Sequence, residues 1–365
     1  MRKILSIIMG KLIHFGDNLS LTFIMFLAEF FGGLSVVIYH HFFFLKNNKG
    51  NKSAGIELIY EKKRINRFDG LAKIMLLIFF SSFFDFTEFL IFLGLSGKVI
   101  ISPTSQPRLC IIMTMSSSFL CSFALKLKTG KHHTFSLIGM GICSIIIFIL
   151  ELIYKSKDTE FGNFILALLL FNLVSVLISF IDVIEKYLVE YNYYNKFKVL
   201  SLEGFFGFFL TLIYSFIIKQ NPIDTIRNFY KELDIGKSFL MIFFLILYFT
   251  LAALVNIYKI ICNVIYTPMV KSLPTYLLNP IFITYYFIFE NDFRTNGKRD
   301  YFYYTINLIL SIIIDIFAFI YNEFFILNIF GLDKDTHNNI SERALRYSFM
   351  ELEEGEINDD KDIKE

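Results

Sequence analysis

The sequence predicts an all-α integral membrane protein with about nine transmembrane helices, built as a five-plus-five inverted repeat that lacks or truncates its first helix. Three observations lead there. The chain of 365 residues is 55% hydrophobic with a mean hydropathy of +0.57, and it breaks into apolar runs of about 20 residues, the length an α-helix needs to cross a hydrocarbon core. Runs such as FILALLLFNLVSVLISF (164–180) are apolar on every face, which excludes a transmembrane barrel and its period-two alternation. Finally, two distant segments repeat one pattern. AEFFGGLSVVIY (28–39) and LEGFFGFFLTLIY (202–214) each give an acid, a Gly/Phe cluster and an aliphatic run closing on Ile-Tyr.

In chain order, MRKILSIIMGKLIHF starts basic, but Lys11 breaks its apolar stretch and no small-residue cleavage site follows. It does not read as a cleavable signal peptide, and the first true span is expected to serve as the targeting signal. Residues 1–18 form an N-terminal segment, with 1–15 a candidate remnant of the missing helix. The first transmembrane repeat covers 19–153, with spans at 19–45, 71–96, 107–126 and 133–153. Its charged loop, 46–70, carries seven Lys or Arg. The second repeat covers 163–328, with spans at 163–182, 198–218, 238–261, 263–289 and 302–328. It has a complete span ahead of its acid-bearing helix, where the first repeat has only 18 residues. Basic residues are in excess on the side of loop 46–70 and of the C-terminus, so both are placed in the cytoplasm and the N-terminus outside or in a lumen. Residues 329–365, ending in ELEEGEINDDKDIKE, read as an acidic disordered tail.

The two repeats also share a proline-containing stretch with a cation beside it, SPTSQPRLC (102–110) and YTPMVKSLP (266–274). Corresponding irregular segments in two halves are what internally duplicated transporters show near their substrate path. A charge within a span is costly and faces a partner or a water-filled cavity, so each is a functional candidate. Arg108 and Lys271 together would hold a phosphate or carboxylate; the competing reading is that they snorkel to the interface. Glu29 and Glu203 are candidate proton-coupling carboxylates, or helix-start acids held by neighbours. Gly32, Gly33, Gly204 and Gly207 read as close helix contacts. Asp85 and Glu88, three apart on one face, and Asp315 are further cavity candidates. Asn172, Asn256 and Asn279 would bridge helices or read a sugar hydroxyl.

Other chemistry is excluded or quiet. Cys110, Cys121, Cys143 and Cys262 have no C-x-x-C spacing and read as small buried fillers. No H-E-x-x-H, G-x-S-x-G or P-loop is present, so no enzyme, cofactor or metal site is expected. His40-His41 and His132-His133 sit at span ends and read as interface markers. The net charge of +2 carries no argument for nucleic acid.

Several of these residues resemble a known family. A span ending Asp182-Val-Ile-Glu185-Lys186-Tyr187, a polar loop, then Glu203-Gly204-Phe-Phe-Gly207 is similar to the signature of the drug/metabolite transporter (EamA-like) superfamily. MFLAEFFGG (25–33) and the stretch from Asn256 through Pro268 to Leu278 resemble the F-type branch of its solute-carrier-35 group, related to nucleotide-sugar transporters. The chain departs from that pattern in its missing first helix, in the one-residue-shorter spacing of Gln106-Pro107-Arg108, and in the charged loop. The resemblance implies ten-helix inverted repeats and alternating access. It further implies transport of a small organic solute, nucleotide-sugar-like or related, across an endomembrane such as Golgi, ER or a lysosome-like compartment of a eukaryote. The expected substrate is anionic, with Lys271, Arg108, Asn256 and Asn279 at the binding site and Glu29, Asp85, Glu88, Glu203 and Asp315 as coupling or cavity carboxylates. The expected partners are a small-molecule substrate and the lipid bilayer, with a homodimer left open and no nucleic acid. The alternative is a non-transporting membrane scaffold or receptor on the same fold, acting through its loop and tail.

Overall fold

A computed structural model describes residues 18–44, 68–95, 106–127, 129–155, 161–231, 235–265, 272–289, 294–295, 298–299, 301–327, 332 and 336. Its helices are α1 (Asn18–Tyr39), α2 (Phe68–Leu95), α3 (Gln106–Ala124), α4 (Lys131–Lys155), α5 (Phe161–Lys186), α6 (Lys196–Ile217), α7 (Pro222–Lys231), α8 (Ile235–Ile265), α9 (Leu273–Phe289) and α10 (Tyr301–Tyr321). The only strands among the described residues are a two-residue antiparallel pair, Arg294–Thr295 with Lys298–Arg299.

Eight helices, α1 to α6, α8 and α10, are long and apolar enough to cross a membrane. Their faces are arranged for lipid. Phe216 is 86% exposed and Phe123 78%, while Ser117, Ser179, Asp182, Thr211, Asn263 and Asn307 are buried. Water would penalise that distribution, and a hydrocarbon solvent favours it. The protein is therefore a multi-pass membrane protein. The ninth expected span, 263–289, is represented by α9, which has 17 residues and contains Pro280. Thr284 Oγ1 donates to the Pro280 carbonyl at 2.8 Å. The loop 46–67, Lys271 and the tail from 337 lie outside the described residues.

Two helices end in a wider turn. A π-helical turn, His40–Phe44, follows α1, and another, Tyr187–Tyr191, follows α5. The second is closed by Asn192 N–H donating to the Tyr187 carbonyl at 3.2 Å and Tyr194 N–H to that of Leu188 at 3.0 Å. Asn195 then starts α6 from extended backbone, its side chain accepting from the Phe197 and Lys198 amides. The short α7 was not expected. Pro222 opens it, where a missing N–H costs nothing, Asn221 Oδ1 accepts from Ile223 N–H at 3.0 Å, and Ser20 Oγ on α1 donates to the Pro222 carbonyl at 3.2 Å.

The chain forms two compact units, and neither is a sequence half. The first holds α1, α2, most of α3, and α5 to α8; the second holds the start of α3, α4, α9 and α10. In the first unit, α1 packs most extensively on α6, α2 on α5 and α6, and α8 on α1. Its core gathers Leu19, Phe26, Ala28, Phe86, Met241 and Ala252, with a neighbouring cluster of Ile78, Leu188, Val199, Leu200 and Ile260. In the second unit α10 packs between α4 and α9 around Ile283, Tyr303 and Tyr304.

The two repeated segments meet each other. A Cβ at Gly204 would collide with the Phe30 amide nitrogen and lie 2.9 Å from Glu29 C and Phe26 O. At Gly33 it would lie 2.7 Å from Ser201 N and 2.8 Å from Phe197 O, and at Gly207 it would enter the Phe26 ring. Glycine at these positions lets α1 and α6 cross backbone against backbone, which is how helices associate where no hydrophobic force drives them together. Gly32 faces α8 instead, its Cβ position 3.1 Å from Ala253 Cβ.

Candidate functional site

The close crossing of α1 and α6 sets Glu29 and Glu203 beside one cavity inside the first unit. Glu29 follows Phe26 by three residues and Glu203 precedes Gly204 by one, so the glycine contact that draws the helices together also fixes both acids. Helix α2 supplies Ser81, Ser82, Asp85 and Glu88 to the cavity wall, a three-to-four-residue spacing that keeps one face inward. Helix α5 adds Asp182 and Glu185, and α8 adds Asn256 and Lys259. Six carboxylates from four helices thus surround a space of about 30 Å³.

The acids are held from behind. Ser82 Oγ donates to the Glu203 backbone carbonyl at 2.8 Å, tying α2 to α6. Asn263 Nδ2 on α8 donates both to the Asp182 carbonyl at 2.7 Å and to Glu185 Oε2 at 2.8 Å. Beside this, Lys186 Nζ donates to Glu190 Oε1 at 2.6 Å and reaches the Asn263 carbonyl at 3.4 Å. The two residues are four apart, the spacing at which side chains along a helix meet. Glu203 is 4% exposed, and its Oε1 accepts no hydrogen bond among the described residues.

Charge and size narrow what this cavity takes. Lys259 is the one cation lining it among the described residues, against six carboxylates. A low-dielectric region does not hold such an excess without compensating cations. A space of about 30 Å³ admits a water or a bare cation, whereas pockets for organic ligands run to roughly 300 Å³ and more. Among the described residues, the one place where three His, Cys, Asp or Glu bring ligand atoms within 4.8 Å of one another lies in the second unit. No three of the cavity acids bring ligand atoms that close among the described residues.

Of the residues singled out from sequence, Glu29, Asp85, Glu88, Glu203 and Asn256 converge here. Arg108 does not line this cavity. It belongs to the second unit, buried at 4% exposure, with Nη2 at 3.4 Å from Glu151 Oε2 and its guanidinium 5.6 Å from the Phe148 ring centre. It is neither snorkelled nor presented to this cavity. Asn279 and Asp315 are also in the second unit, near Cys110. Asn172 is half-buried on α5. None of the four cysteines forms a disulfide, and all four are buried.

Sequence reasoning missed Asp182, Glu185 and Lys259 as cavity residues, and Glu151 as the partner of Arg108. The signal for Lys259 and Glu151 was present, since each is a lone charge inside an apolar run. Asp182 and Glu185 were masked by lying next to a polar loop, where acids are unremarkable. No protein-family model and no curated protein matches the chain.

Proposed function

We propose that the protein is a secondary transporter that moves a small organic metabolite by alternating access and couples that movement to protons taken up by the carboxylates of the first unit. The observation that carries the reading is the convergence of Glu29, Asp85, Glu88, Asp182, Glu185 and Glu203 on one membrane-embedded cavity. Buried acids in a membrane are expensive, and ion and proton pathways are where they are found.

The pairing of helices supports an internal repeat. Matching α1 with α6 and α2 with α8, as the repeated segments require, turns the α1–α8 contact into the α6–α2 contact, and both are present. Such exchangeable halves accompany rocking-type alternating access in transporters. The resemblance to the drug/metabolite transporter superfamily, and within it to the F-type solute-carrier-35 branch, points the same way. Its implied substrate, an anion, is not suited to this cavity, so an anionic metabolite would bind at other residues, with Lys271 the leading candidate. An endomembrane location and a cytoplasmic C-terminus are part of the same proposal.

The experiment is a thermal-stability screen of the purified protein against nucleotides, nucleotide sugars, organic phosphates and amines, followed by flux of any hit into liposomes. A ligand that binds only the folded state raises the melting point. A hit that is transported supports the reading. No stabilisation across the panel, together with loss of function on deleting residues 331–365, would replace it with the scaffold reading.

A further inference from the structure

The second unit holds a cluster that the transport reading does not use. His132 and His133 open α4, and Glu323 lies two residues beyond α10, which packs on α4. One nitrogen of each imidazole and one oxygen of the carboxylate all lie within 4.8 Å of one another. His132 is 3% exposed, and neither of its ring nitrogens makes a hydrogen bond, although Nε2 stands 3.1 Å from Glu323 Oε1. Buried polar atoms are normally satisfied, and an unsatisfied nitrogen on a buried imidazole that already faces a carboxylate calls for an explanation, a bound ion among them.

The surroundings hold the three groups in place. The His132 and His133 rings have centroids 3.9 Å apart, and Tyr321 meets the His133 ring edge-on at 4.7 Å. Glu323 sits at φ 60° as the left-handed residue that ends α10, with its N–H donating to the Ile320 carbonyl at 3.1 Å and Phe324 N–H to that of Phe319 at 2.9 Å, so the helix end fixes where its side chain starts.

We propose that His132, His133 and Glu323 bind a divalent transition-metal cation of the zinc class, tying the start of α4 to the segment after α10. Two imidazoles and one carboxylate are a borderline donor set that suits zinc and its neighbours over magnesium or calcium. Metal–ligand bonds of about 2.0–2.2 Å require donors roughly 3.4 Å apart in a tetrahedral site, so the group closes by a small movement. Glu323 and His133, both half-buried, are the less enclosed members of the cluster. His133 Nδ1 accepts from Gly130 N–H at 3.1 Å. Coordination through its Nε2 moves the ring proton to Nδ1 and releases that amide, so the turn before α4 adjusts as the metal enters. The fourth position is left to water. The site is independent of the proton-coupling cavity, and the failure of either leaves the other standing.

The test uses the full chain, purified in detergent, stripped with chelator and titrated with Zn²⁺, with Mg²⁺ as the contrasting probe. Saturable binding of one Zn²⁺ with a rise in melting temperature is expected, and Co²⁺ in its place should give the visible absorption of a tetrahedral site. H132A should abolish binding. E323Q, which keeps the side chain's shape, should weaken it by about 100-fold or more, the upper end of what even a supporting residue costs. Replacing the other adjacent pair, H40A/H41A, should leave binding unchanged. Absence of saturable Zn²⁺ binding overturns the proposal, as does equal Zn²⁺ affinity in wild type and E323Q or loss of binding in H40A/H41A.

Discussion

Gly204→Ala is the substitution whose cost the structure states most directly. The added methyl lies 2.9 Å from Glu29 C and Phe26 O and closer still to the Phe30 amide nitrogen. All three atoms are backbone, so no rotamer change relieves the overlap. Restoring ordinary contact at 3.4 Å with all three atoms requires α1 to retreat from α6 by about 1 Å, along a crossing that also carries Gly33 and Gly207. Overpacking typically costs about 1–3 kcal/mol, and an unyielding backbone wall places this change at the upper end, near 3 kcal/mol. At 1.4 kcal/mol per decade that is roughly a hundredfold fall in the folded fraction ratio. Thermal unfolding in detergent measures it, with Gly236→Ala as the control because nothing lies within 4 Å of its Cβ. Gly33→Ala should behave like Gly204→Ala, and the double variant should cost less than the sum, because one separation of the helices relieves both overlaps. Equal melting temperatures for Gly204→Ala and Gly236→Ala would show that α1 and α6 do not cross as closely as described.

Two further predictions concern buried charge and its supports. Glu151→Gln and Arg108→Met each strand one member of a pair with side chains 2% and 5% exposed. Each should cost about 3–5 kcal/mol, whereas an apolar double replacement recovers most of it, as read from the melting temperatures of the three variants. Asn263→Ala removes the donor to the Asp182 carbonyl and Glu185 Oε2. It should destabilise by about 1–3 kcal/mol and lower transport, whereas the same substitution at Asn322, whose amide bonds only its own helix at the Ala318 carbonyl, should leave transport unaffected.

The spans were legible because a run apolar on every face has few other uses, and Glu29 and Glu203 stood out because each breaks such a run beside glycines that recur in both copies. The glycines were legible for the same reason, and the structure gives their role, the backbone crossing of α1 and α6. What the sequence could not supply was pairing across distance. Arg108 and Glu151, Asn263 and Glu185, or His132 and Glu323 meet only through tertiary packing, and no periodicity encodes those encounters. The π turn at Tyr187–Tyr191 was equally hidden, since its residues suit an ordinary helix as well. The grouping of helices into two units that mix both halves follows from packing and has no trace in composition.

Proton coupling at the cavity tests the account most directly. With the transported solute identified, the protein is reconstituted into liposomes and uptake is followed with and without an imposed pH gradient, in wild type, Glu203→Gln and Gly236→Ala. The account predicts that the gradient drives uptake in wild type and in Gly236→Ala. Glu203→Gln should lose the response to the gradient while keeping its fold and its ability to bind the solute. Gradient-driven uptake that survives in Glu203→Gln and in the corresponding Glu29→Gln would contradict it.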